Sequence, residues 1–397
     1  MIGDASNLNA THLQSSNTYL YTMSSDQVLL PDFQCAIQQG DDGRPRFVNE
    51  AAIPSLPPGF VLVKTIAVAL NPSDHKIMKN FPIQGAYIGA DFSGTVVQIA
   101  NGTDEGPGTG SLKVGTMVCG AAFGFAPMHR KANGAFAEYV RARADLLLIL
   151  HETSNLDLQP RLLQAATLGT AISTCLLALW SSEALGLLGT PDKPTISEKP
   201  EPVLVYGGST ATGTIALQLL KFSGYSPIAT CSPRNFDLVR ERGASAVFNY
   251  AAPDVAQSIK EHTSGRLKYV LDCISNVDSV ATCYQAIQRP GGRYVCLERI
   301  PEEVLAKRRA VRSTFVLAAE AYGDEIKLGQ EGYDRPANQE KHEFAAQCIK
   351  MYQRLLDQGR LKTHPMEMLD GGLHGIIRGL EMLENGGVPG KKLVALL

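Results

Sequence analysis

A chain of 397 residues is longer than one hydrophobic core usually supports, so two domains are expected. With 44% hydrophobic residues, 19% charged residues and a formal net charge of −2, the composition is that of a soluble globular protein. The balance of charge gives no reason to expect nucleic acid or a membrane surface as a partner.

Met1-Ile2-Gly3-Asp4 shows neither the basic nor the apolar region of a secretory signal. Residues 1–22, rich in Asn, Ser and Thr, read as a flexible N-terminal extension. The eight cysteines are scattered singly with no CxxC pair, so neither a zinc ribbon nor a disulfide framework is indicated. They fit reduced, buried thiols in a cytoplasmic protein.

Short strands follow at Gln34-Cys35-Ala36-Ile37 and, after the turn signal Pro57-Pro58-Gly59, at Phe60–Val68. Asn71-Pro72-Ser73-Asp74 ends that strand as a turn or helix cap. Further strands at Thr95–Ile99, Met117–Cys119 and Ala137–Val140, separated by Gly, Asn and Pro loops, give the look of a small, irregular β-barrel.

Helical spacing runs from Leu158 to about Leu188. Within it, Leu162–Ser182 carries no charge and approaches the roughly 20 residues that span a bilayer. Its polar residues Gln164, Thr167, Thr170, Ser173 and Thr174, and the absence of a flanking basic cluster, favour a buried helix instead. Pro191–Pro202 reads as a surface linker.

The most informative stretch is Val203–Phe222. Val203-Leu204-Val205 is an apolar run of the kind buried on both faces of a parallel sheet. Gly207-Gly208-Ser209-Thr210-Ala211-Thr212-Gly213 then turns into a helix whose apolar face is Ile215, Ala216, Leu219 and Leu220. A strand, tight turn and helix aim backbone N–H groups at one point, where a pyrophosphate can sit. Strand and helix alternate afterwards: Pro227–Cys231, Phe236–Arg242, Ala246–Phe248, Val255–His262, Tyr269–Cys273, Val277–Ile287 and Gly292–Leu297. That alternation predicts an α/β doubly wound parallel sheet, with an edge strand near Ser313–Leu317. An amphipathic helix around Phe344, Cys348, Tyr352 and Leu355, a helix His374–Leu383 and a strand Lys392–Leu396 complete the chain.

Several separated motifs, in order, resemble the medium-chain dehydrogenase/reductase superfamily. They are Ala69–Asp74, Gly89–Gly94, Val114–Gly120, Gly134–Tyr139, the stretch opened by Val203, and Gly390–Val394. Within it the chain resembles fungal trans-acting enoyl reductases at Tyr206–Thr212, Ala229–Leu238, Leu271–Ile274 and Ile172–Thr174. The resemblance implies a GroES-like β-rich catalytic domain over residues 23–180, a Rossmann domain over 181–345, and a return to the catalytic domain over 346–397. It implies hydride transfer to the unsaturated thioester of a polyketide chain, carried by a polyketide synthase or a synthase–peptide synthetase hybrid, and a monomer.

Zinc-dependent superfamily members carry a His-Glu pair where this chain has Ala90-Asp91, so a metal-free site is expected. A strand-end acid that would hold an NAD ribose is missing. Ser232-Pro233-Arg234-Asn235 stands there instead, and Ser232 with Arg234 suits the 2′-phosphate of NADPH. By resemblance Tyr250 lies beside the same phosphate. Hydroxyls of Ser209, Thr210 and Thr212, with Ala211 between them, are placed to meet the pyrophosphate. Leu297, Glu298, Val394 and Ala395 border the nicotinamide by the same resemblance. By resemblance Ser73-Asp74-His75-Lys76 touches the cofactor, and Lys76 is expected as anchor or proton donor. By the same resemblance substrate contacts are expected on Cys175-Leu176-Leu177-Ala178-Leu179-Trp180-Ser181-Ser182 and on Leu317-Ala318-Ala319-Glu320-Ala321, although core packing accounts for many of these apolar residues equally well. Lys307, Arg308, Arg309 and Arg312 form the densest basic cluster, either a steering patch for an acidic carrier domain or a solvated face. Two other readings stay open: a reductase of free quinones or small enones, and a non-catalytic NADPH-binding partner of a synthase.

Overall fold

The computed structural model describes residues 29–103, 112–123, 130–151 and 158–397. The N-terminal extension expected over residues 1–22 lies outside them. The chain divides into two units, Met1–Leu30 and Pro31–Leu397, and every named element belongs to the second.

That unit is built on two large sheets. β1 (Phe33–Gln39) and β2 (Pro45–Ala52) form a separate antiparallel pair. The β2 pairing was not expected, because Pro45-Arg46-Phe47-Val48-Asn49-Glu50 does not alternate cleanly and the strand is mostly part-exposed. β3 (Phe60–Ala69), β4 (Asp91–Ile99), β5 (Met117–Ala121), β6 (Tyr139–Arg143) and β7 (Leu148–Ile149) build the first large sheet. Between β3 and β4 lies α1 (Pro72–Asn80), with Pro at its start. The Asp74 carboxylate accepts from the Asn71 N–H at 2.6 Å, so the expected cap is a helix start.

α2 (Leu158–Ala165) and α3 (Gly169–Trp180) meet at a bend of 42°. The expected helix to Leu188 therefore breaks once and stops eight residues early. Among the described residues no single helix is long and apolar enough to cross a membrane. α3 is a core helix, with Cys175, Leu176, Ala178 and Leu179 fully buried.

The second sheet has the order β10-β9-β8-β11-β12-β13, all parallel. Its strands and helices run β8 (Pro202–Tyr206), α4 (Ala211–Phe222), β9 (Ser226–Cys231), α5 (Phe236–Glu241), β10 (Ala246–Asn249) and α6 (Val255–His262). β11 (Tyr269–Asp272), α7 (Val277–Ala286), β12 (Gly292–Cys296), α8 (Glu302–Leu305) and β13 (Val311–Phe315) follow. Alternate residues of β8 feed opposite cores: Val203 and Val205 join α3 and α4, while Leu204 and Tyr206 join α6 and α7. This is the doubly wound arrangement read from the alternation.

α9 (Gln339–Asp357) packs beside α3 through Tyr352 and Leu355. β14 (Met366–Leu369), α10 (Gly372–Glu384) and β15 (Lys392–Leu396) then return to the first sheet, where β15 pairs antiparallel with β3. β15 is fastened by a buried ion pair: Lys392 Nζ meets Asp91 Oδ2, and Asp91 Oδ1 accepts from the backbone N–H and Oγ1 of Thr170 at 2.6 and 2.5 Å.

The basic cluster resolves into separate roles. Arg308 is not a solvated charge: its guanidinium donates to the carbonyls of Tyr284, Ile287 and Gln288, closing the C-terminal end of α7. Lys307, Arg309 and Arg312 remain exposed.

Candidate active site

Register places the ends of the parallel strands in one row. Tyr206 is level with Thr230 and Asp272, Asp272 with Cys296, and Cys296 with Phe315, while Asn249 is level with Cys231. The segments after these strands therefore share one edge. They are Ser209–Thr212, Ser232–Asn235, Tyr250, Leu297-Glu298 and Leu317–Ala321, all expected from sequence. Ligands of doubly wound sheets bind at this carboxyl edge, where the strand order reverses between β8 and β11.

The turn after β8 is shaped to admit a phosphate. Gly207 has φ +79°, a region that side chains avoid. A Cβ on Gly213 would sit 2.5 Å from Gly207 O and 2.8 Å from Gly208 Cα, so the start of α4 can lie against the turn only without one. Thr230, fully buried and not singled out from sequence, accepts Gly207 and Gly208 N–H groups on its carbonyl at 3.1 and 2.9 Å. The Thr210 hydroxyl also caps α4 by accepting from Gly213 N–H at 3.0 Å, which leaves its O–H to donate. The amides of Ala211 and Thr212, in the first helical turn, have no intrahelical acceptor. This cradle fits the pyrophosphate of a dinucleotide.

At the ends of β9 and β10, Arg234 and Tyr250 are exposed. Among the described residues no carboxylate pairs with Arg234, whereas the nearby Arg240 is tied to Asp237 at 3.3 Å and lies over the Phe236 ring. Arg234 is thus an uncommitted cation at that corner among the described residues.

Asp272 organises the far side of the switch point and was not assigned a role from sequence. It is fully buried, and its carboxylate accepts from the amides of Ile274 and Ser275, from Ser279 Oγ and from Tyr294 OH, at 2.5–2.9 Å. Burial raises its pKa, and the hydrogen bonds act against that rise. The loop it holds puts Ser275 at φ +58°, strained for a non-glycine residue. Ser275 Oγ in turn accepts from Leu297 N–H at 2.8 Å, fixing the segment that carries Glu298.

Glu298 reaches across to α1. Lys76 Nζ lies 2.6 Å from Glu298 Oε1, with side chains 40% and 31% exposed, so the pair joins the two halves at the mouth of the cleft. On the same helix Asp74 is buried, and desolvation pushes its pKa to about 7. Burial, then Lys76, lower the pKa of His75, which disfavours its imidazolium. Leu317 and Ala318 pack with Ala90, Phe123, Tyr322 and Ile326 in an apolar wall.

Some expected residues are not at this cleft. Val394 and Ala395 are fully buried in the core, where they set the register of β15 against Ala69 and Val68; their side chains present nothing to a cofactor. Of Cys175–Ser182, Leu177 and Ser181 line a cavity of ≈ 280 Å³ beside β13. Trp180 is buried, with Nε1 donating to Gly189 O at 2.9 Å. Glu320, which lines the same cavity, is held by Lys341 at 2.6 Å and Arg335 at 3.5 Å.

The residues do not fit a catalytic zinc. Ala90 has no ligating atom, the Asp91 carboxylate is engaged by Lys392 and Thr170, and among the described residues no group of three or more His, Cys, Asp or Glu could hold a metal ion.

The two sheets, the C-terminal return and the cradle at the strand ends are those of the medium-chain dehydrogenases/reductases. The sequence matches the family described as alcohol dehydrogenase GroES-like domain over residues 57–152 and that described as zinc-binding dehydrogenase over residues 211–327. The trans-enoyl reductase TwmE of Talaromyces wortmannii is 65% identical over 370 residues, 93% of this chain and 99% of that one. The trans-enoyl reductase poxP of Penicillium oxalicum is 43% identical over 371 residues, 93% and 94% of the two chains. Among solved structures, mycobacterial Rv1454c complexed with NADPH is similar in fold, with a TM-score of 0.65 at 19% identity over 92% of this chain and all of that one. The chain belongs to the trans-enoyl reductases, oxidoreductases of fungal secondary metabolism that use a nicotinamide cofactor and work with a separate synthase.

Proposed function

We propose that this chain reduces the α,β-unsaturated thioester of a carrier-bound polyketide with NADPH, without metal, as a cytoplasmic monomer. The observation that carries the reading is the Lys76–Glu298 contact at 2.6 Å, which sets a proton-bearing group at the carboxyl edge of a nucleotide-binding sheet. The names and identities of the relatives support the carrier-bound substrate, and a polyketide synthase or a synthase–peptide synthetase hybrid is the proposed partner. The eight free cysteines, six of them buried, support a reducing compartment.

When bound, the dinucleotide supplies the hydride. The chain's own residues do the rest. Gly207 and Gly213 let its backbone approach the pyrophosphate, and the amides opening α4 donate to it. Ser232, Pro233, Arg234 and Asn235 with Tyr250 receive the 2′-phosphate. Ser73, Asp74 and His75 carry Lys76 on the first turn of α1, and Lys76 holds a proton at Nζ for the substrate α-carbon. Glu298 aims that ammonium, and Leu297 borders the nicotinamide. Leu177, Ser181 and the Leu317–Ala318 wall meet the acyl chain.

Arg234→Ala is expected to raise the KM for NADPH about 10- to 100-fold, the worth of a charge-assisted hydrogen-bond pair, with the KM for NADH little changed. An unchanged NADPH KM would remove the 2′-phosphate assignment. The whole reading is tested by mixing the protein with NADPH and α,β-unsaturated acyl pantetheine thioesters of several lengths and following cofactor oxidation. Turnover is expected on thioesters. Turnover on quinones alone, or tight NADPH binding with no turnover, overturns it.

A further inference from the structure

Beneath the first turn of α1 is a small cavity of ≈ 40 Å³, bordered by Ser73, Asp74, Gln39, Tyr87, Phe123 and Arg130. Water-sized space of that order holds a few small groups, since one water needs about 10–15 Å³; an acyl chain must stay outside. Most polar atoms around it are committed. Gln39 Nε2 donates to Gly43 O and Met78 O while its Oε1 accepts from Ile83 N–H. Tyr87 OH donates to Ala52 O at 2.5 Å, and Asp74 accepts from Asn71 N–H.

Among the described residues, two donors have no recorded side-chain partner. Arg130 is only 4% exposed, yet among the described residues its guanidinium has neither a carboxylate nor a hydrogen-bond acceptor. Desolvation alone lowers its pKa, with no opposing charge, whereas the equally buried Arg141 has Tyr322 and Asp324 acting the other way. The Ser73 hydroxyl likewise has no described partner. No carboxylate among the described residues offsets the desolvation of Arg130. A cation that lines a cavity with no charge partner among the described residues is a candidate for ligand contact.

We propose that Arg130, with Ser73 beside it, binds the thioester carbonyl oxygen of the substrate and stabilises the charge that develops there. This rests on the enoyl reductase reading above. As the β-carbon accepts hydride, the electron pair of the C=C bond moves to form an enolate, and its oxygen carries negative charge until the α-carbon takes up a proton. Ser73 lies three residues before Lys76, on the same side of α1, so the oxygen site and the proton source share one helix face. Phe123 belongs both to this cavity and to the wall of Leu317 and Ala318, which joins the oxygen site to the acyl path. Preorganised donors around a developing oxyanion are a large source of rate.

The test uses the full chain, its Arg130→Met and Arg130→Lys variants, an α,β-unsaturated acyl pantetheine thioester and NADPH. Arg130→Met is expected to lower kcat about 100-fold with KM changed far less, and Arg130→Lys to recover part of the loss. The Tm of ligand-free Arg130→Met is expected to rise, because a desolvated charge is replaced by an apolar side chain of similar length. Parent-like kcat in Arg130→Met, or a lowered Tm, overturns the assignment by showing that the guanidinium serves the fold. If the parent itself turns over no thioester, the underlying reading fails and this inference fails with it. A parent that is active beside an equally active Arg130→Met defeats the inference alone.

Discussion

Lys76→Met is expected to lower kcat for enoyl thioester reduction about 100-fold or more, the range for loss of a positioned acid. Stability should fall by no more than about 1 kcal/mol, because ion pairs this exposed contribute little. The Lys76 and Glu298 side chains keep 40% and 31% of their surface in solvent, so the fold has small use for the contact. Glu298→Gln leaves the ammonium in place but unaimed, and an intermediate loss is expected, with the change confined to kcat. Single-turnover NADPH oxidation beside urea denaturation separates the two quantities. A Lys76→Met protein that reduces thioesters at near the parent rate would strip Lys76 of its role.

Lys392→Met is expected to have the largest effect on stability, a loss of about 3–5 kcal/mol, because it leaves a buried carboxylate without its cation. Lys392 and Asp91 side chains are 4% and 0% exposed. Without the ammonium, Asp91 would stand beside Asp74, whose pKa is already pushed to about 7 by burial first and by Asp91 among the lesser causes. Asp91→Asn in the same chain is expected to return much of the loss, since Asn keeps an acceptor for Thr170 and removes the charge. Urea denaturation of the two single variants and the double variant measures this coupling. Equal destabilisation of Lys392→Met with and without Asp91→Asn would mean that the ammonium acts by packing alone.

Both pairs illustrate why part of this site is hidden in a linear reading. Lys76 and Glu298 are 222 residues apart, and Lys392 and Asp91 are 301 apart. Each residue was visible as a type at a strand end or helix start; its partner was not. Arg308 shows the same limit. Next to Lys307 and Arg309 it reads as a charge cluster, yet it closes α7 because the chain after β12 brings it under three free carbonyls. In Cys175–Trp180, an uncharged helix suits a pocket wall and a core equally. Only packing by β8, α4 and α9 from several sides decided that nearly all of it is core.

Local physics made the rest legible from the sequence. The apolar run of β8, the 3.6-residue spacing of α4 and the need for Gly at φ +79° act over a few residues, so a strand, cradle and helix can be read without knowing what surrounds them. Strand–helix alternation extended that to a parallel sheet, and a missing strand-end acid, with Arg234 in its place, raised the question of the phosphate. Burial and partnership are different in kind, because a carboxylate, an ammonium or a guanidinium takes its energy from whatever the whole fold brings within a few ångströms. Tertiary structure therefore decided that Asp272 is a buried hub, that Val394 and Ala395 are packing residues, and that Arg130 is a buried cation with no described partner.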